Sequence, residues 1–529
     1  MEFDEIFDVV IVGGGNAGFS AATTAAQNGA RVLLVEKAPL DDAGGNTYFT
    51  AAAYRCCFDG LDDLLPYLYH EEGTKGLPQD LVDRIEMAPY TKSDFHADIK
   101  RVTKGRADPV LARLLVDESR GAVQWLMDNG AKFALSYNRQ AFQVGGKYRF
   151  WGGMVLNMIG QGKGLFQWHL DLARTNGVVV RFSCPAIDLV THPSTNAVIG
   201  VKVYANGKFS TIGAKGGVVL ASGGFQASPA LRTQYLGPGW DVAHVRGTKY
   251  NVGDGHGMAE KVGAKLEGNF SGCHSVAWDA NSPRDSGDRH LTNQFTKSGY
   301  PLGIMVNVEG KRFVDEGFDL RNFTYAVFGR EILKQPQGIA FQVWDADGAG
   351  WLREEEYGDD VTTNLIADTL EELADILVTK GLASKTQFLD TIEQFNSACY
   401  SFQKEHPTKT FDPSVKDGMA TTGLSLPKTN WATPIQKGPF RAVEVTCGIT
   451  FTFGGLAATP KAEVISEATR QPIDGLWCCG ELLGGLFYHN YPGGSGLTMG
   501  TIMGRAAGRG AAERAKRQPV NFKSYLSTA

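Results

Sequence analysis

The stretch "DVVIVGGGNAGFSAATTAAQNGARVLLVEK", residues 8–37, limits the possible folds of this chain more than any other. Residues 8–12 are a short, nearly continuous apolar run, the pattern of a strand buried on both faces of a parallel sheet. Glycines follow at once, then an alanine-rich segment to about Asn28, then a second apolar run, "ARVLLVEK". Strand, turn, helix and strand in this order make a βαβ unit, which predicts an α/β fold. Gly13, Gly15 and Gly18 fit G-x-G-x-x-G, and Glu36 closes the second strand eighteen residues beyond the last of them. Such a turn brings backbone N–H groups and a helix N-terminus to a pyrophosphate, while the acid accepts hydrogen bonds from a ribose diol. A dinucleotide site is expected, with NAD and FAD not separated by this unit alone.

With 529 residues, 43% hydrophobic and 21% charged, the chain can bury a large core and form two or more domains. A net charge of -5 and no Lys/Arg block give no electrostatic reason for nucleic acid or an acidic membrane surface, so small molecules are the expected partners. The eight cysteines include the pairs Cys56, Cys57 and Cys478, Cys479 but no C-x-x-C; they are expected to be reduced structural thiols, with no metal site. The opening "MEFDEIFDVV" is acidic and runs straight into a strand, the wrong order for a secretory signal. Residues 9–30 carry no charge, yet their Gly, Asn, Thr and Gln content argues against a membrane span. A cytoplasmic enzyme without a transmembrane segment is expected.

Residues 108–131 carry a helical pattern, and "GVVVRF" and residues 216–225 read as strands, the latter turning at Gly223 and Gly224. From about residue 271 to 431 the βα rhythm gives way to acidic helices and Pro/Gly-bearing loops, a candidate second domain. "GLWCCGE" then gives another strand, and a glycine-rich segment near Gly494 opens a long C-terminal helix. Just before it, residues 480–500 crowd Phe487, Tyr488, His489 and Tyr491 against glycines. Glycines let a backbone approach a phosphate or ring closely, and Tyr and His can hold or move protons.

Seven segments in order, "VVIVGGGNAGFSAA", "EKAP", "AGGNT", "VVLASGGF", "GDGHGMAEKVGAKL", "GKRFVDE" and "GLWCCGELLGG", make the chain resemble the fumarate reductase and 3-ketosteroid dehydrogenase superfamily of FAD flavoproteins. "KGRADPVLARLLVDES", "GCHSVAWD", "LRNFTYAVFGR" and "GGLFYHNYPGGSGL" are similar to its tricarballylate dehydrogenase-like branch. The resemblance implies a Rossmann-type, discontinuous FAD-binding domain, residues 1–270 and 432–529, interrupted by an α+β capping domain, residues 271–431. It implies FAD contacts at Gly13, Gly15, Asn16, Ala17, Gly18, Glu36 and Lys37; at Gly45, Asn46, Thr47, Ser222, Gly223 and Gly224; and at Asp254, Glu481, Gly494, Ser495, Gly496 and Leu497. Where the covalently flavinylated branch has a histidine this chain has Asn46, so non-covalent FAD is expected.

The same resemblance places Arg321 at nearly the position of the fumarate reductases' proton-donating arginine, and His274 at that of a substrate-binding histidine. Two carboxylate-gripping positions of those enzymes are occupied here by Tyr491 and approximately Thr450, and their Glu and Arg relay upstream of "IMVN" is absent, which argues against fumarate itself. Tyr491 is similar instead to the flavin-side tyrosines of the ketosteroid dehydrogenases. Arg55, Arg139, Lys147, Arg149 and Lys297 are further cations without an assigned place. The implied activity is desaturation of a C–C bond beside a carboxylate or carbonyl by hydride transfer to flavin N5, with Arg321, Tyr491 and His274 arranging substrate and proton. Tricarballylate going to cis-aconitate is the leading expectation. The alternatives are a 3-ketosteroid Δ1-dehydrogenase-like or ene-reductase activity on a cyclic ketone or unsaturated acid, and a non-catalytic flavin electron-relay subunit. No haem-binding C-x-x-C-H or ferredoxin-like cluster occurs, so a separate electron acceptor, whether protein, quinone or oxygen, is expected.

Overall fold

The apolar run Val9–Val12 is a fully buried strand, third in a six-stranded sheet. The computed structural model, which describes residues 3–70 and 73–517, orders this sheet as Val179–Arg181, Val32–Val35, Val9–Val12, Val218–Leu220, Pro472–Cys478 and Glu463–Ile465. The first five strands are parallel and the last is antiparallel. Being covered on both faces, the strands Val32–Val35, Val9–Val12 and Val218–Leu220 are apolar throughout, as buried parallel strands tend to be.

Helix Asn16–Gln27 leaves the first strand and packs against the last helix, Ser495–Arg517. The glycines of the last helix are needed for that contact. A Cβ at Gly504 would lie 2.4 Å from the Ala17 carbonyl oxygen, and one at Gly508 would lie 2.1 Å from that of Ala21. Glycine inside a helix costs about 1 kcal/mol relative to alanine, offset here by the close backbone approach it permits.

Two long strands, Leu266–Asp279 and Phe440–Leu456, pair antiparallel from Leu266 opposite Leu456 to Asp279 opposite Val445. They lead from the neighbourhood of the first sheet into a second one completed by Ala340–Trp344, Ile304–Asn307, Leu365–Ala367 and His244–Val245. The register breaks between Asn269 and Cys273 and again between His274 and Ser275. Irregularities of this kind re-aim side chains at sheet corners. The expected boundary at 270/271 falls inside the first long strand, and residues 271–431 carry their own apolar cores around Phe341, Leu373 and Phe388 and around Trp344 and Tyr357. Among the described residues no helix is long and apolar enough to cross a membrane. All eight cysteines are unpaired.

Candidate active site

One elongated cavity of about 1770 Å³, its open mouth included, runs from the first glycine turn to the register breaks of the long strands. At one end Gly13 has φ 107°, and a Cβ there would lie 2.4 Å from the Ala221 carbonyl oxygen, so only glycine fits the turn. Gly15 caps helix Asn16–Gln27 without a side chain, and no acid occupies the first turn, leaving the positive end of the helix facing the cavity. The backbone N–H of Asn16 donates to Thr47 Oγ1 at 2.9 Å. Glu36 lies in the same wall, where its carboxylate accepts from the N–H groups of Gly14 at 2.6 Å and Ala38 at 2.8 Å; burial pushes its carboxyl above the usual range. Lys37 and Asp254 form an ion pair at 2.7 Å beside it.

Further along, Gly494, Gly496 and Leu497 at the start of helix Ser495–Arg517 face the cavity, again with no acid in the first turn. Asn46 is held at both ends of its amide: Oδ1 accepts from Thr248 N at 2.9 Å and Nδ2 donates to Thr450 O. Gly45, Thr47, Ser222 and Gly223 line the same wall, and the buried Ser222 hydroxyl has no partner among the described residues. Glu481 accepts from Thr452 N at 2.8 Å, and burial pushes its carboxyl up to about 7.

Three residues of the expected cofactor set do not face the cavity. Gly18 packs its helix on the turn, since a Cβ there would lie 2.0 Å from Gly13 O. Gly224 is wedged against Thr452 Oγ1 and Glu481 Oε1, and Ser495 is fully buried behind the wall. The remaining sixteen line it. Two unneutralised helix ends, glycine-lined walls and an orphaned hydroxyl fit a dinucleotide with a pyrophosphate at the first helix and an electron-rich ring edge at the second.

The far end of the cavity gathers Arg321, His274 and Tyr491. His274, 2% exposed, has no hydrogen-bond partner on either ring nitrogen among the described residues; its ring meets Tyr325 at 4.8 Å and Tyr491 at 5.1 Å. Burial first, and then the nearby Arg246, hold it well below the usual histidine range. The hydroxyls of Tyr325 and Tyr491 share a hydrogen bond at 2.8 Å, and Tyr491 stacks on Phe451 with 5.8 Å between ring centres. Arg321 donates to Arg139 O, and desolvation together with the neighbouring Arg353 pushes its guanidinium down to about 9. Thr450 also lines this end.

Sequence reasoning missed Arg246, Tyr325, Arg353 and Glu356, all in this wall. Arg246 follows strand His244–Val245, whose parallel pairing with Gly448 and Ile449 brings it beside Thr450. It is 9% exposed, and its Nε donates to Thr296 Oγ1 at 3.2 Å. Arg353 and Glu356 sit in "LREEEY", which reads as a solvated charge run, but Glu356 is fully buried between Arg353, Arg139 and the Ser298 hydroxyl. Among the described residues Arg139 and Arg353 have carboxylate partners, whereas Arg246 and Arg321 form no ion pair. Of the unassigned cations only Arg139 reaches the cavity. Arg55 is buried against Gly493 O and Tyr90, Lys147 and Arg149 pair with Glu86, and Lys297 lies beside Asp279. His489 is outside the cavity wall, its backbone N–H bonded to Asn269.

Residues 8–497 match the family model described as FAD binding domain. The chain belongs to that family. Among curated proteins this FAD-binding chain is 27% identical over 517 residues to a probable fumarate reductase, Ifc3, of Shewanella frigidimarina, covering 97% of the chain and 76% of the relative. It is 27% identical over 538 residues to the vinyl phenol reductase of Lactiplantibacillus plantarum, covering 97% and 98%. Among solved structures, an open conformation of a flavocytochrome c3 fumarate reductase aligns with a TM-score of 0.69 at 25% identity, covering 97% of this chain and 79% of that one. The fold is therefore the mixed α/β flavoprotein fold of the fumarate reductases, and the protein is an FAD-dependent oxidoreductase.

Proposed function

We propose that this protein is a dehydrogenase that turns the C–C single bond beside a carboxylate into an alkene, with tricarballylate as substrate and cis-aconitate as product. The observation that carries this is the pair of unpaired arginines, Arg246 and Arg321, beside the orphaned His274. Leaving a buried charge without its partner costs about 3–5 kcal/mol, so this end of the cavity is built to receive anions. Two free guanidiniums and an imidazole offer three positions for a tricarboxylate. A neutral steroid would leave both cations uncompensated, which disfavours the ketosteroid alternative.

In this reading the described residues of 1–270 and 432–529 form a Rossmann-type FAD-binding domain and residues 271–431 an α+β cap, with the long strands Leu266–Asp279 and Phe440–Leu456 as the connection; 1–2, 71–72 and 518–529 lie outside the described residues. Bound FAD supplies the hydride acceptor at N5; the glycine turn, Glu36, Lys37, Asn46 and the Gly494–Leu497 turn would hold it without a covalent link. Support for the last point is that Asn46 offers an amide, a poor nucleophile, engaged at both ends.

Arg246 grips a carboxylate throughout, His274, uncharged, donates one N–H to a carboxylate oxygen, and Arg321 grips a carboxylate while charged and gives up that ion pair when it is neutral. The substrate carbon beside the carboxylate loses a proton, the adjacent carbon loses a hydride, and the alkene remains. Arg321 is the group best placed to take the proton, because its surroundings already disfavour its charged form. Tyr491, whose phenol burial keeps protonated, and Tyr325, hydrogen-bonded to it, orient the reacting carbons. A separate acceptor then removes the electrons.

The test is an anaerobic titration of the oxidised holoenzyme with tricarballylate, citrate, succinate and a 3-ketosteroid, followed by flavin absorbance. Bleaching by tricarballylate with formation of cis-aconitate is expected. Bleaching by the steroid alone, or by none of the four, would remove this proposal.

A further inference from the structure

A second cavity, about 1240 Å³ with its mouth included, lies on the other side of the arginine wall. It shares Ser298, Arg321 and Arg353 with the first cavity, so both arginines line both chambers. Its other lining is rich in rings: Phe142 and Trp151 stack with 5.3 Å between centres and 15° between planes, Trp351 meets Phe142 edge-on at 6.2 Å, and Trp431 also lines it, with Asn138 and Gln143 as polar neighbours. The Trp151 indole N–H is buried without an acceptor among the described residues. Trp351, 37% exposed, marks the side open to water.

These features point to one ligand chemistry. Aromatic walls suit a flat ring, and Arg321, which forms no ion pair among the described residues, suits a single carboxylate with Arg353 beside it. A polycarboxylate would find no further cation for its remaining charges among the residues lining this chamber, and a purely apolar ligand would leave Arg321 without an ion pair. We propose that this chamber binds a small planar aromatic carboxylate, its ring against Phe142, Trp151 and Trp351 and its carboxylate on Arg321 and Arg353. Because Arg321 forms no ion pair among the described residues, an anion on either side can pair with it. Occupancy of the outer chamber therefore weakens binding in the inner one, and by linkage the reverse holds equally. The coupling rests on the assignment of Arg321 to the substrate; binding in the outer chamber does not.

The probe is indole-3-propionate, titrated calorimetrically into the full-length, FAD-loaded protein, with indole-3-propanamide as its neutral counterpart. Saturable submillimolar binding is expected, weakened roughly tenfold or more, about 1.4 kcal/mol, in Phe142→Ala and Trp351→Ala and for the amide. Both variants should keep kcat and KM for tricarballylate within about twofold in the absence of the probe, and the probe should raise the apparent KM in the wild type. No saturable binding at millimolar probe, or equal affinity in both variants, overturns the site. Binding that leaves inner-chamber affinity unchanged overturns the coupling. If tricarballylate proves not to be a substrate, the calorimetric arms still decide the outer site, so the two failures are distinguishable.

Discussion

Asn16 Nδ2 donates to the Leu497 carbonyl oxygen at 2.9 Å, tying the first residue of the first cavity-facing helix to the first turn of the last one. The other end of the same amide, Oδ1, lies 2.8 Å from Tyr54 OH and 2.9 Å from His169 Nε2. One buried side chain thus fixes the spacing between the two helix N-termini that the dinucleotide would bridge.

Replacing Asn16 by alanine removes these bonds and strands buried polar groups, each worth about 1–3 kcal/mol. Asn16→Ala is expected to lower the stability of the apoprotein by about 2–4 kcal/mol and to weaken FAD retention. Urea unfolding of the apoprotein and FAD release on dilution measure the two effects. Unchanged FAD affinity would show that the helix spacing is set elsewhere.

How much of this was legible beforehand follows from the range of each interaction. The strand Val9–Val12, the turn at Gly13 and the acid at Glu36 are local patterns, and the sheet is built on them as expected. The glycines of the last helix carried a mixed message: Gly494 and Gly496 face the cavity, but Gly504 and Gly508 serve helix packing, a distinction that depends on the position of Ala17 and Ala21. Arg246 was invisible because its place is set by pairing with Gly448 and Ile449, about two hundred residues away. Arg353 and Glu356 resembled a solvated charge run because burial is absent from local composition.

Arg246 is a desolvated cation that forms no ion pair among the described residues. Arg246→Met, similar in length and apolar, is expected to raise apoprotein stability by about 1–3 kcal/mol. The same change removes a charged hydrogen-bond donor worth about 1.5–3 kcal/mol, so KM for the polycarboxylate should rise about 10- to 100-fold. Denaturation midpoints and steady-state kinetics on the same variant test both signs. A variant that loses stability and keeps its KM would place Arg246 among the structural residues.

Arg321 is expected to divide binding from chemistry. Arg321→Ala should retain FAD, since none of the cofactor-side contacts involves it, and lose turnover by three orders of magnitude or about 4 kcal/mol. As the proton acceptor in desaturation Arg321 must be neutral, and its surroundings place that transition at about 9. The wild-type oxidative kcat should therefore climb as pH rises towards about 9, while reduction of the alkene, which needs the charged form, should fall over the same range. Stopped-flow flavin reduction and reoxidation from pH 6 to pH 10 measure the two limbs. Parallel profiles in both directions would assign the proton to another group.

Glu481 carries a pH signature in stability. Its carboxyl, ordinarily at 4.5, is raised by burial to about 7 in the folded chain, where it meets Thr452 and Gln226 and no cation. A raised folded value means that the unfolded chain gives up this proton first as pH increases. The contribution of Glu481 is thus fully present below pH 4.5 and is lost as pH climbs through about 7. Glu481→Gln, an isosteric stand-in for the protonated acid, does not titrate. The apoprotein of the variant should gain on the wild type by on the order of 2–3 kcal/mol between pH 4.5 and pH 8. Guanidinium unfolding of both proteins across that range is the measurement, and a difference that stays flat with pH would mean that the folded carboxyl ionises as freely as the unfolded one.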